Sequence, residues 1–451
     1  MPRRPTRLAV VATAALLAAL PVPAAAQRLR DDIAQLFIFG PGEEPLFLAG
    51  TADPNNPASI RAHGRHFVPA SAAENAAVIG FLTDALGASV SNMPIGSTSG
   101  GETFRFEGGV PVRTSTSAGP IFAERAMTLG RGRLLAGLSR SGFRFATIRG
   151  VPLRDVRLTF THENVDYPGC AAANGGADCA LMGVPNLEND VMDLRLSLDL
   201  KVNVTSLYLT YGLSDRVDVG AVIPVVSTRL AGSSEAQIVP FGGPTAVHFF
   251  AGTPSAPVLN ATRSTSGSAT GLGDVAVRAK VALRSTPRAS VALLADARFP
   301  TGSAADLLGA GGFAARGLAV LTAVLGDFSP HANVGYVYRR TSSLNDAVLA
   351  TGGFDHRISD KVTLAADVVG ELQVGDSRLH IPEPVHFDVP FKRTVIPTSI
   401  PDVRDDVVSG SFGFKIMPRR DLTAVFNALF PLNRGGVRPE MTYTAGIEVT
   451  L

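Results

Sequence analysis

The residues of this chain that could do chemistry are charged side chains on the polar faces of alternating segments. They are Arg195, Asp199 and Lys201, then Arg216 and Asp218, then Asp274, Arg278 and Lys280, then Asp296 and Arg298, and finally Asp367, Lys415 and Glu448. Both signs are interleaved, so the chemistry they offer is electrostatic: cross-strand ion pairs, or a polar wall whose charges select a passing solute. No catalytic signature accompanies them. The chain has no G-x-S-x-G, no H-E-x-x-H, no Cys-x-x-Cys and no phosphate-cradling glycine loop, and its eight histidines are scattered. His380 and His386 share the loop HIPEPVHFDVP and read as solvated loop histidines. The expectation is a protein that is not an enzyme and carries no cofactor or metal.

The alternation itself says which elements hold these groups. From Leu194 to Val204 each even position is apolar (Leu194, Leu196, Leu198, Leu200, Val202, Val204) and each odd one polar or charged, the period of a β-strand with one residue class per face. After the turn at Gly212 to Asp215 the pattern resumes with Val217, Val219, Ala221, Ile223 and Val225 opposite Arg216, Asp218 and Gly220. Val275, Val277, Ala279, Val281 and Leu283 oppose Asp274, Arg278 and Lys280. Val291, Leu293, Ala295, Ala297 and Phe299 oppose Asp296 and Arg298. At the end Met441, Tyr443, Ala445, Ile447, Val449 and Leu451 oppose Thr442, Thr444, Glu448 and Thr450. Strands longer than ten residues exceed the five or six usual in a soluble sandwich, and a basic side chain turned toward lipid near the midplane costs roughly 2–4 kcal/mol. The reading is an all-β, transmembrane, antiparallel up-and-down barrel, greasy outside and charged inside.

Candidate strands near 191–211, 215–228, 273–284, 288–300, 314–326, 331–340, 352–358, 361–374, 406–417, 421–431 and 440–451 are joined alternately by tight turns and long loops, as in outer-membrane barrels. Earlier β segments lie within Gly101 to His162, and with them the count is about fourteen, with twelve as the second possibility. The chain lacks Trp, so interfacial belts fall to Phe and Tyr.

Arg3, Arg4 and Arg7, the apolar run Leu8 to Leu20 and Ala24-Ala25-Ala26 before Gln27 have the form of a secretory signal peptide, residues 1–26. Without those three arginines the net charge of +2 falls to about −1, leaving no surplus for nucleic acid. Cys170 and Cys179, in CAAANGGADC, would form a disulfide in an oxidising envelope. Residues 27–100 form a partly helical N-terminal segment. Ser71 to Leu86 carries a capping box (Ser71, Glu74), an apolar stripe and a terminating Gly87, and a short helix is expected around Arg30 to Phe37. The segment is read as a plug within the barrel of residues 101–451, or else as an appendage outside it. The loop Ala236 to Ala261 is unusually apolar: Ile238, Phe241, Phe249 and Phe250 would form either a hydrophobic platform over the mouth or a contact with lipopolysaccharide or a neighbouring protein.

The stretches SAGPIFAERAMTLGRG, YGLSDRVDVGAVIPVV, GLGDVAVRAK, ARFPTG with LLGAG, and the closing TAGIEVTL resemble outer-membrane proteins of the phenol meta-cleavage-pathway family and, more distantly, the fatty-acid and toluene channels. The resemblance covers roughly residues 100 to 451. It departs at Leu451, where outer-membrane proteins usually end in an aromatic. It implies a barrel passing hydrophobic compounds, with no ligand residue marked. The expected partners are outer-membrane lipid and lipopolysaccharide, the barrel-assembly machinery and a small hydrophobic solute. The leading expectation is a passive channel for small hydrophobic or aromatic compounds; the other is a structural or adhesive barrel with a blocked lumen.

Overall fold

The computed structural model describes residues 28–37, 39, 49–50, 85–86, 104–107, 110–113, 119, 123–161, 172, 190–240, 248–253, 256–341, 344–388, 391–419 and 421–451. Twelve antiparallel strands close into a barrel: β1 Leu134–Ile148, β2 Val191–Gly212, β3 Val217–Val239, β4 Ala276–Ser285, β5 Ala289–Arg298, β6 Ala314–Ala323, β7 Phe328–Arg339, β8 Ala347–Ser359, β9 Val362–Gln373, β10 Val407–Arg419, β11 Leu422–Pro431 and β12 Val437–Thr450. Each pairs with its sequence neighbour, and β12 closes on β1, Leu134 and Leu451 exchanging both backbone hydrogen bonds. Closure leaves no unpaired edge in the wall, as a lipid-embedded sheet requires.

The count is twelve, not fourteen. Phe104–Glu107 and Val110–Arg113 form a separate two-stranded hairpin. Val156–Phe160 pairs with the upper edge of β2 (Val156 opposite Leu196), beyond Phe145 opposite Leu200, where the pairing of β1 with β2 ends. The stretch read as the loop 229–272 is largely strand as well. β3 runs on to Val239, and Asn260–Leu272 pairs with its upper half before β4 takes over the lower half.

Each strand presents a large apolar side chain to the outside: Leu138, Leu209, Val219, Val277, Leu293, Leu321, Val334, Val348, Val368, Phe412, Phe426 and Ile447 are all exposed. An apolar girdle continuous around the wall is far larger than a soluble surface tolerates, and it places the barrel in the outer membrane. Among the described residues no helix is long and apolar enough to cross a membrane. The tight turns and the chain's last residue lie at one rim, and the long loops at the other. In outer-membrane barrels these are the periplasmic and extracellular rims.

The faces of β4 and β5 follow the sequence reading, with Val277, Val281, Leu283 and Leu293 outside and Arg278, Lys280 and Asp296 buried within. On β2 the reading is reversed. Leu194, Leu196, Leu198, Leu200 and Val202 are almost fully buried on the inside, while Arg195 and Lys201 are exposed outside and Asp199 pairs there with Arg144. The cause is the length of β2, 22 residues, or about 70 Å at ~3.3 Å per residue, against a lipid band of about 25 Å. Parity holds along the whole strand, so the even face of Leu194 is also that of Tyr208 and Thr210 inside the barrel. Lipid meets the odd residues Leu209 and Tyr211. The perfectly alternating stretch stands above the membrane, and its apolar face covers a protein core.

Candidate functional site

That core is built around the helix α1, Leu29–Gln35, which matches the helix expected near Arg30 to Phe37. Leu29, Ile33, Leu36, Phe37 and Phe39 are buried in one cluster with Leu194 to Leu200, Leu230, Ile238 and the inturned loop residues Leu307 and Leu308. The Arg30 amide donates to the Ala305 carbonyl at 3.0 Å, and the Ser234 hydroxyl donates to the Leu36 carbonyl. Among the described residues of the 236–261 stretch, Ile238 is in this cluster and Phe250 packs against it. Ile238 belongs to β3 and is 1% exposed, Phe249 is 5% exposed, and Phe250 packs on Phe39 at 5.5 Å between ring centroids. Phe241, Cys170 and Cys179 lie outside the described residues, as does the expected helix 71–86 except for Ala85 and Leu86.

Nearer the periplasmic rim a second element occupies the lumen. Residues 123–130, before β1, bond to inward side chains of β3, β4, β6, β7 and β8, which only a segment running inside the wall can reach. The Arg125 guanidinium donates to Asp355 at 3.0 Å, both side chains being wholly buried. Arg278 donates to Glu124 at 2.8 Å, Lys280 to the Arg125 carbonyl at 3.3 Å and Asn333 to the Glu124 carbonyl at 3.3 Å. The Ala126 amide donates to Thr322 and the Leu129 amide to Asp218. The segment leaves through Gly130 and Gly132, both at positive φ, and a Cβ on Gly212 would lie 1.9 Å from the Gly130 carbonyl oxygen, so the exit requires glycine at 212.

Of the inward charges named from the sequence, Asp218, Arg278, Lys280 and Asp274 hold inturned chain segments, and Asp296, Asp367, Lys415 and Glu448 tie wall strands to one another. Asp218 and Lys280 are 3.6 Å apart beside this segment. Arg278 also approaches Asp296 at 3.6 Å, and Asp296 pairs with Arg316. Asp274 accepts from the Gly302 and Ala310 amides, fastening the inturned 301–310 loop. Asp367 meets His331 at 2.6 Å, and His331 lies 3.5 Å from Asp355. Lys415 and Glu448 are 3.6 Å apart, with Tyr208 donating to Glu448 at 3.1 Å. Arg298 lies on the inward face of β5. Arg216 is exposed at the β2–β3 turn, away from these groups. Sequence reasoning missed Glu124, Arg125, His331 and Asp355. Only the adjacent charges in the otherwise apolar PIFAERAMTL could have pointed to the first two.

Between these elements, toward the long-loop rim, lies a cavity of ≈ 140 Å³. Phe145, Val369, Val407, Leu429, Phe430, Pro431, Val437 and Pro439 supply an apolar lining, with Ala85 and Leu344. Glu371, Gln373, Ser409, Asp405 and Arg438 give it a polar margin. Arg438 donates to Ser409 at 2.7 Å and to the Val408 carbonyl at 2.9 Å. Its buried Nε has no hydrogen-bond partner among the described residues. The register of β12 slips on both sides of Pro439, a bulge that re-aims side chains at the cavity wall. Arg149, wholly buried, closes this end. It donates to both Asp405 oxygens at 2.8 and 2.9 Å and to the Pro401 carbonyl, while its amide holds the Gly436 carbonyl.

Residues 190–379 match the family described as "Putative MetA-pathway of phenol degradation". Among solved structures, an outer membrane channel from Pseudomonas putida F1 is similar at 10% identity and TM-score 0.41, over 72% of this chain and 98% of that one. The CymD monoaromatic hydrocarbon channel is similar at 9% identity and TM-score 0.32 (71% and 89%), and the KdgM porin at 8% and 0.30 (58% and 96%). No curated relative matches the chain.

Proposed function

We propose that this outer-membrane barrel, related over residues 190–379 to the phenol-degradation family, is a passive channel for small hydrophobic compounds of single-ring aromatic size. The observation that carries this reading is the cavity. At ≈ 140 Å³ it is close to the ~150 Å³ apolar cavity that accepts benzene, and it joins an apolar wall to a few polar groups in the manner of a small-molecule site. The free Nε of Arg438 suits a ligand with one hydroxyl or carbonyl on the ring. In this reading residues 27–100 and 123–130 are the plug, and solute enters from the long-loop rim and leaves past 123–130 into the periplasm. Asp218, Arg278 and Lys280 act indirectly, by holding the plug.

Phenol flux into proteoliposomes tests it. Wild-type protein is expected to raise the flux above that of empty liposomes, and Leu429→Trp, which fills the cavity, to cut that increment severalfold with the barrel still folded. Equal flux through wild type and Leu429→Trp would remove the cavity from the route.

A further inference from the structure

The outer face of β1, β2 and β3 carries a row of like charges. Arg144 stands opposite Lys201, and Lys201 opposite Arg229, all three outward-facing, with Arg140 two outward positions below Arg144 on β1. Like charges directly opposed across strands repel unless an anion lies between them. Asp199 pairs with Arg144 and lies 3.4 Å from Arg154, but neither Arg140 nor Arg229 is paired with a carboxylate among the described residues.

Counting Arg140, Arg144, Arg154, Lys201 and Arg229 against Asp199 and Glu440, this band of the face carries five positive and two negative charges. Above this band Arg157 and Arg195 face Asp155, Asp193 and Glu235, two against three, so the excess lies in the band from Arg140 up to Lys201. The next outward residue below Arg140 is the lipid-facing Leu138, and Leu209 and Tyr211 follow further down β2. The row therefore stands where outer-leaflet headgroups begin. Beside Arg140 a lipid-facing groove of ≈ 550 Å³ runs across β10, β11 and β12, with Phe412, Phe414, Phe426 and Tyr443 as its sides and Gly142 and Ala445 in its floor.

We infer that this face is a binding site for a phosphorylated glycolipid of the outer leaflet. Its phosphate groups are held along this band by Arg140, Arg144, Lys201 and Arg229, and an acyl chain lies in the aromatic groove. Arginine suits the task because its planar donor fork engages two phosphate oxygens at once. The site is separate from the lumen, so it stands whether or not the channel reading does.

The test is native mass spectrometry of the full-length protein in detergent with three probes: diphosphorylated lipid A, the same lipid dephosphorylated, and inorganic phosphate. The expected result is a one-to-one complex with the phosphorylated lipid that excess inorganic phosphate does not displace. Arg140→Gln with Arg229→Gln should weaken it roughly 30-fold, about fivefold for each basic group removed near an anionic surface, and Arg140→Lys with Arg229→Lys should largely retain it. Equal binding of the dephosphorylated lipid, which needs no variant, would overturn the inference. So would wild-type affinity in the folded glutamine variant. Displacement by inorganic phosphate would show a soluble-anion site and exclude the lipid.

Discussion

The Arg125–Asp355 pair offers the sharpest perturbation of the lumen. Both side chains are wholly buried at 3.0 Å, and losing one partner of such a pair costs about 3–5 kcal/mol because the remaining charge is stranded. In Arg125→Met the stranded group is Asp355. It keeps His331 at 3.5 Å, which puts the cost at the low end, about 3 kcal/mol, or roughly 100-fold in the opening equilibrium of residues 123–130. The Glu124–Arg278 bond and the Leu129 amide to Asp218 remain, so the segment loosens within an intact wall. Hydrogen exchange reads this directly. The Ala126 amide, bonded to Thr322 at 3.0 Å, should lose about two orders of magnitude of protection while strand amides of β6 and β7 keep theirs. Adding Asp355→Leu removes the stranded carboxylate and should restore half or more of the lost protection. Unchanged exchange at Ala126 in Arg125→Met, or a double variant no better protected than the single one, would refute the assignment of this pair as the anchor.

Three further outcomes follow from the geometry. Lys201→Cys should react with a membrane-impermeant maleimide on intact cells and Leu198→Cys should not, because the charged face of upper β2 is outside; the opposite pattern would restore the reading made from the alternation. Leu209→Arg should lower folding stability in bilayers by about 2–4 kcal/mol in urea titrations, whereas Asn203→Arg, above the girdle on the same face, should change it little. Hydrogen bonds from Arg157 and Arg195 hold the Asp155 carboxyl below the usual carboxylate range. Its folded-state pKa is thus depressed, and its stabilisation is present above about pH 4 and lost as pH falls through the lowered value. Exchange in Val156–Phe160 should therefore rise on acidification below pH 4 in wild type but show no such step in Asp155→Asn.

How far the sequence reveals this molecule depends on what a period of two can say. It separates two faces and names their residues, which suffices for β4 and β5, where Arg278 and Leu293 lie where alternation puts them. It does not say which face is wet. Leu194 to Val204 has the alternation of a lipid-facing strand, yet its apolar side covers α1, because a 22-residue strand outruns the membrane. The strand count failed for a related reason. Phe104–Glu107 with Val110–Arg113, and Val156–Phe160, have strand patterns, but the first two pair only with each other and the last extends the edge that β1 leaves on β2, so none adds to the wall. The short helix was legible from its local apolar spacing. The lumen was not, since Arg125 meets Asp355 across 230 residues, and Phe145, Val369 and Leu429 converge on one cavity only once the barrel has closed.

The channel reading requires that residues 123–130 yield for solute to pass. The most direct measurement is phenol flux into proteoliposomes containing Ala126→Cys with Thr322→Cys, positions in hydrogen-bond contact in the wild type, before and after oxidative cross-linking. Flux should fall to the empty-liposome level when the pair is cross-linked and recover on reduction. Flux unaffected by the cross-link would contradict the account.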